Sequence, residues 1–145
     1  MSRDDKIGRA AEAIAAALAL TRPLVVIDTE TTGVNVEQDR VIEVGVIVIA
    51  PVTGLLPQSP ASHRWLVNPG VPIPASATAI HGITDADVAG APSFASIARD
   101  LATVLAGADL CGYNLRKFDE RILRAEFARA GVAWPCPDAR LLDPY

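Results

Sequence analysis

A short, turn-rich polar link, "TTGVNVEQD" from Thr31 to Asp39, lies between two apolar runs, Leu24–Asp28 and Arg40–Ala50 ("RVIEVGVIVIA"), and this spacing constrains the fold more than any other feature of the chain. Parallel strands need a crossover of a dozen or more residues, so the two runs are expected to pair antiparallel across a polar link. The first run closes on two carboxylates. Asp28 and Glu30 stand at i and i+2, which on a strand gives them one face with Cα atoms roughly 6.6–6.8 Å apart. Leu24 and Val26 precede them on that face, where the pattern leads one to expect core. Like charges so placed repel unless a cation lies between them.

Beyond the loop Pro51–Pro60, "HRWLVNP" alternates as a third, edge strand before the Pro-rich "NPGVPIP". Thr84, with Asp87 three residues on, reads as the cap of a short helix, and Pro92 or Ser93 opens a second running to about Ala106. Asp109–Tyr113 is a short strand, Asn114 is expected to cap a helix that runs to Ala130 and stops at Gly131, and "DARLLDPY" begins a last strand. The order predicts an α/β fold: a mixed sheet of a three-strand antiparallel meander plus parallel strands, flanked by helices. Open sheets of this kind place ligands at the carboxyl ends of their central strands, where Asp28 and Glu30 fall.

With 145 residues, half of them hydrophobic, the chain suits one packed domain. Ile7, Ala11, Ile14 and Leu18 recur at helical spacing, which sets an amino-terminal helix within residues 1–22 ahead of a main domain over 23–145. Asp4, Asp5 and Glu12 argue against a signal sequence, and the apolar run is too short to span a membrane. A net charge of −4 excludes a broad basic surface for unspecific nucleic-acid binding. Cys111 and Cys136 show no metal-ligand spacing and read as small core residues in a reducing compartment, which points to a cytoplasmic home.

In "YNLRKFDERIL", Leu115, Phe118, Ile122 and Ala125 form an apolar stripe at helical spacing, and Asp119 falls inside it. Such an acid either pairs with a cation such as Arg116 or Arg40, or meets Asp28 and Glu30 in the fold. Three converging carboxylates are hard oxygen ligands suited to Mg²⁺ or Mn²⁺. Two such ions can activate water on one side of a phosphodiester and stabilise the departing oxygen on the other.

"DTETTG" at 28–33, "HGIT" at 81–84 and "NLRKFD" at 114–119 resemble, in order and spacing, the successive motifs of the DEDD, or DnaQ-like, 3′→5′ exonucleases, which have a ribonuclease H-like fold. The resemblance covers the chain from Leu24 on. It implies that Asp28, Glu30 and Asp119 hold two Mg²⁺ or Mn²⁺ ions, that Thr31 and Thr32 lie against the 3′-terminal nucleotide, and that His81 borders it. It also gives Asn114 a part in shaping the site, beside its role as a cap. The implied partner is a single-stranded 3′ end of DNA, or of RNA, with a DNA polymerase as a further partner and no membrane. "TTG" and "HGIT" are closer to the DNA-proofreading branch than to the oligoribonucleases.

The same family carries a His-x4-Asp motif on a helix after the last strand, its His a general base and its Asp a metal ligand. This sequence has two histidines; Ala86 stands five residues after His81, and Asn68 five after His63. The chain stops at Tyr145, where that helix is due, so the expectation is a carboxyl-terminally incomplete exonuclease of little activity, with Asp138 and Asp143 in strand or turn roles. A non-catalytic nuclease-like binding or assembly module is the alternative. An Asp-x-Asp phosphatase fits poorly, because position 30 is Glu and the second strand arrives too soon for a helical crossover.

Overall fold

The computed structural model describes residues 9–10, 13–52 and 59–144. A helical segment α1 covers residues 13–17. Three strands follow, β1 (Leu24–Thr31), β2 (Val41–Ile49) and β3 (Ala61–Leu66), then helices α2 (Ala75–His81), α3 (Asp85–Val88) and α4 (Phe94–Leu105), strand β4 (Asp109–Cys111), helix α5 (Asp119–Ala130) and strand β5 (Leu141–Leu142).

The strands form one sheet in the order β3-β2-β1-β4-β5. β1 pairs antiparallel with β2 and parallel with β4, so the short polar link does force a reversal of direction. β3 pairs antiparallel with β2 at the edge, and β5 parallel with β4. Asp28 lies opposite Gly45 and Glu30 opposite Glu43, after which the register slips between Glu30 and Thr31.

One face of the sheet carries Val25, Ile27, Val44, Val46 and Leu110, buried against Phe94, Ile97, Leu101 and Leu105 of α4 and Ile122, Leu123 and Phe127 of α5. Burial of this continuous apolar layer is the main stabilising term. The opposite face is covered at one end, where Leu24 and Ile49 meet Ala15 and Leu20. Toward Asp28 it opens, and Ile47 is 45% exposed. The expectation of core on the Leu24–Glu30 face therefore holds for Leu24 and fails at Asp28, which is exposed. The amino-terminal stripe is corrected too: Ile14 and Leu18 face outward while Ala15 packs, and Ile7 and Ala11 lie outside the described residues. A small side chain lets α1 lie close to Leu24 and Ile49.

Local signals set most helix ends. Thr84 and Asp87 form a reciprocal capping box on α3, Ser93 caps α4, and Gly131 stops α5 at φ 68°. Helix α2 was not legible: Pro74 precedes it without a side-chain cap, and it buries only Ala77, so it has no apolar period. Its last residue is His81, followed by Gly82 in the left-handed region at φ 76°.

The expected helix from Asn114 is a further correction. Residues 113–118 form turns, Asn114 sits at φ 56°, and α5 begins only at Asp119, with Phe118 in the cap position. A residue in the left-handed region cannot start a right-handed helix, so Asn114 is no cap here.

Candidate active site

Asp28, Thr29 and Glu30 leave the carboxyl end of β1 on alternate faces. Asp28 is exposed and Glu30 half-buried, whereas Thr29 points into the core layer and is buried. Asp119, the first residue of α5, reaches this strand: it is 4% exposed, and its Oδ1 accepts the Thr29 backbone N–H at 3.1 Å and the Thr29 hydroxyl at 2.6 Å. Neither expected cation pairs with it, because Arg40 is engaged by Glu126 at 2.7 Å. The buried acid is instead held by dipoles of the residue between Asp28 and Glu30.

Asp28 acts electrostatically on each of the other two acids. Burial pushes the Asp119 carboxyl above its ordinary range, the Thr29 hydrogen bonds oppose that, and the charge of Asp28 adds to it. Glu30 is likewise raised, by burial first, then by Asp28, with Glu43 contributing and His81 opposing. Among the described residues no group of three or more His, Cys, Asp or Glu is arranged as a metal-holding cluster. The donor set is nonetheless of the right chemistry: carboxylate oxygens whose mutual repulsion a divalent cation relieves.

Beside this strand end lies a groove of about 350 Å³ lined by Thr29–Val34, Ser76, Ala77, Ile80, His81 and Phe118. Thr31, Thr32 and His81 line this groove together, while Asn114 does not. Its floor is well fixed. The Thr31 hydroxyl donates to Gly33 O at 2.7 Å, and the Thr32 hydroxyl to Asp39 Oδ1 at 2.8 Å. A Cβ at Gly33 would lie 2.5 Å from Asp39 Oδ2, so a larger residue there would push the Asp39 carboxylate off Thr32 and Asn35. His81 Nδ1 accepts the Ile83 N–H at 3.1 Å, which leaves the proton on Nε2 to donate to Thr31 O at 3.2 Å. The hydrogen bond ties α2 to the end of β1.

The groove also contains residues the sequence did not announce. Val34 and Ile80 are 88% and 86% exposed, and both line the groove. Large apolar side chains left in water at the rim of a polar site are suited to a flat hydrophobic ligand. "GV" after the turn and the Ile before His81 were the available signals, visible only once α2 is known to be a helix.

A five-stranded sheet with antiparallel β3-β2-β1, parallel β4 and β5, and acids at the end of its central strand defines the ribonuclease H-like class. Comparison narrows the class. The family model described as Exonuclease (RNase_T) matches residues 25–143, and the chain belongs to this family, within the DEDD 3′→5′ exonuclease superfamily. It is 39% identical over 122 residues to a DNA polymerase III subunit epsilon-like protein of Rhodobacter capsulatus, covering 83% of this chain and 17% of that protein. It is 34% identical over 101 residues to the DNA polymerase III subunit epsilon of Treponema pallidum, covering 70% and 44%. The chain therefore spans less than half the length of either relative. In fold it resembles E. coli Exonuclease I in complex with a dT13 oligonucleotide, with a TM-score of 0.70 and 18% identity, over 85% of this chain and 28% of that one.

Proposed function

We propose that this domain is a 3′→5′ exonuclease that removes nucleotides from single-stranded 3′ ends of DNA by hydrolysis, with RNA a second possible substrate class and a DNA polymerase a partner. The observation that carries the reading is the pair of Thr29–Asp119 hydrogen bonds, which lock the third acid against the strand that bears the other two, beside a groove of nucleotide size.

Asp28, Glu30 and Asp119 are the residues that would hold Mg²⁺ or Mn²⁺, two ions by analogy with the family. Bound there, they would supply Lewis-acid charge to the attacking water and the departing oxygen. The chain's own side chains do the rest. Val34 and Ile80 take the terminal base between them, a sequence-tolerant contact. His81 fixes Thr31 through its carbonyl, and Thr32 with Asp39 fixes the turn beneath the sugar.

Neither histidine is poised as a general base. Both ring nitrogens of His81 are engaged, and His63 stacks on Trp65 on the edge strand with ring centroids 5.6 Å apart. A missing general base typically costs about 10²–10⁴-fold in rate, so the 145-residue chain is proposed to be a slow enzyme, faster when extended by a His-x4-Asp helix.

The test is a 5′-labelled single-stranded oligodeoxynucleotide incubated with the chain and MnCl₂, with calorimetric titration of Mn²⁺ alongside. Heat of binding that is lost in Asp119→Ala, with slow stepwise shortening from the 3′ end that is lost too, is the expected outcome. Absence of Mn²⁺ binding would favour the non-catalytic module.

A further inference from the structure

Asp119 opens its helix without help from its neighbours. The cap position is Phe118, at φ −129° and ψ −76°, and no side chain caps the helix. Thr29 holds the Asp119 carboxylate from the strand side, and the course of the chain into Asp119 is set by the turn before it. That turn is entered through Asn114 at φ 56°, a left-handed conformation that ordinary L-residues disfavour and Asn tolerates better.

A carboxylate from the far strand holds this conformation. Asp143, just past β5, accepts the Asn114 N–H on Oδ1 at 3.1 Å and the Arg116 N–H on Oδ2 at 3.0 Å. Backbone N–H groups converging on one anion form a nest, here occupied by the protein's own side chain. The Arg116 guanidinium returns the contact, donating to Leu141 O at 2.6 Å. Within the turn, Phe118 N–H donates to Asn114 O and Glu120 N–H to Leu115 O, both at 3.0 Å, and Leu115 is fully buried. On its other side the turn cannot move toward β1, because even a Cβ at Gly112 would lie 2.8 Å from Ile27 O.

We propose that Asp143 is a positioning residue for Asp119: its carboxylate clamps the 114–118 turn so that α5 delivers Asp119 to Thr29. Both Asp143 oxygens serve backbone N–H groups, so its carboxylate acts on the site through the turn. The proposal rests on the catalytic reading above and deepens it, since the same turn also carries Phe118 into the groove.

The experiment uses the full 145-residue chain and three readings: the Thr29 amide by ¹⁵N NMR and hydrogen exchange, Mn²⁺ affinity by calorimetry, and thermal unfolding by circular dichroism. Asp143→Asn keeps the shape but offers a single acceptor oxygen to two N–H donors. The Thr29 amide is expected to shift and exchange faster, and Mn²⁺ affinity to fall by about 10–100-fold, the usual effect of losing a residue that orients a ligand. Asp143→Glu, which keeps both oxygens on a longer arm, is expected to lose less, and carries the same readings should Asp143→Asn fail to fold. An unchanged Thr29 amide overturns the proposal. So does Mn²⁺ affinity equal to wild type in a folded Asp143→Asn. A wild-type chain that binds no Mn²⁺ defeats the catalytic reading alone, and the Thr29 amide then decides whether Asp143 positions Asp119.

Discussion

Asp119 and Thr29, 90 positions apart, are joined through a single atom: Asp119 Oδ1 receives both the backbone N–H and the hydroxyl of Thr29. Because Thr29 stands between Asp28 and Glu30, this contact places a helix acid at a strand that already bears two. The hydrogen bonds also supply the polar partners that a carboxylate 4% exposed requires.

Replacing Thr29 by Val removes the hydroxyl and keeps the volume. The buried Asp119 then retains only the backbone N–H, and unfolding in urea is expected to show a loss of about 1.5–3 kcal/mol, the worth of a hydrogen bond to a charged group. The Asp119 proton affinity should rise further, since the Thr29 bonds now oppose the effect of burial. Side-chain NMR titration of Asp119 checks the direction.

Asp119 carries a second consequence. Its folded-state pKa is raised, so the folded protein holds that proton more tightly than the unfolded chain does. Ionising it costs stability progressively as pH climbs from the ordinary Asp value through the raised one. Asp119→Asn removes this cost. Its stability relative to wild type should therefore be more favourable at about pH 7 than at about pH 3, below the ordinary carboxylate range. Denaturant titrations at the two pH values would show a constant difference if the acid were not strained by burial.

Ile80 is 86% exposed, so Ile80→Ser should leave the melting temperature almost unchanged. If the base of a 3′-terminal nucleotide rests on it, binding of a single-stranded oligonucleotide should weaken on the order of tenfold, as expected for losing somewhat more than 1 kcal/mol of apolar contact. Fluorescence anisotropy with a 3′-labelled and a 5′-labelled strand separates an effect at the end from one along the chain.

Asp109, fully buried at the start of β4, tests the scaffold rather than the site. Burial opposes its charge, but the Arg140 N–H at 2.8 Å, the Arg140 guanidinium at 2.9 Å and Arg22 at 3.5 Å win, and its carboxyl is held below the ordinary value. A depressed folded-state pKa means stability that is present above the unfolded value and is lost as pH falls through the folded one. Asp109→Asn should cost about 1.5–3 kcal/mol near neutral pH, and clearly less in acid, by urea unfolding.

Much of this architecture was legible because it is local. The short link before Arg40 dictated an antiparallel pair, Thr84 with Asp87 announced a capping box, Ser93 a helix start, and Gly131 a helix stop. Each signal acts over a few residues, and nothing distant contradicts it. Helix α2 stayed hidden because a helix that buries only Ala77 has no apolar face to repeat. Asn114 misled for a related reason: the same side chain that favours a cap also tolerates the left-handed region, and Asp143, 29 residues on, selects the second.

By itself the sequence determined the donor inventory: Asp28 and Glu30 at strand spacing, Asp119 inside an apolar stripe, and a run of strands and helices that admits few folds. Only the tertiary structure decided which way those groups turn, with Asp28 open to solvent, Asp119 folded onto Thr29, and Val34 and Ile80 left bare at the groove. The reason is range. Periodicity and capping are fixed by neighbours along the chain, whereas the orientation of a buried acid is fixed by which hydrogen-bond donors the completed fold brings within reach.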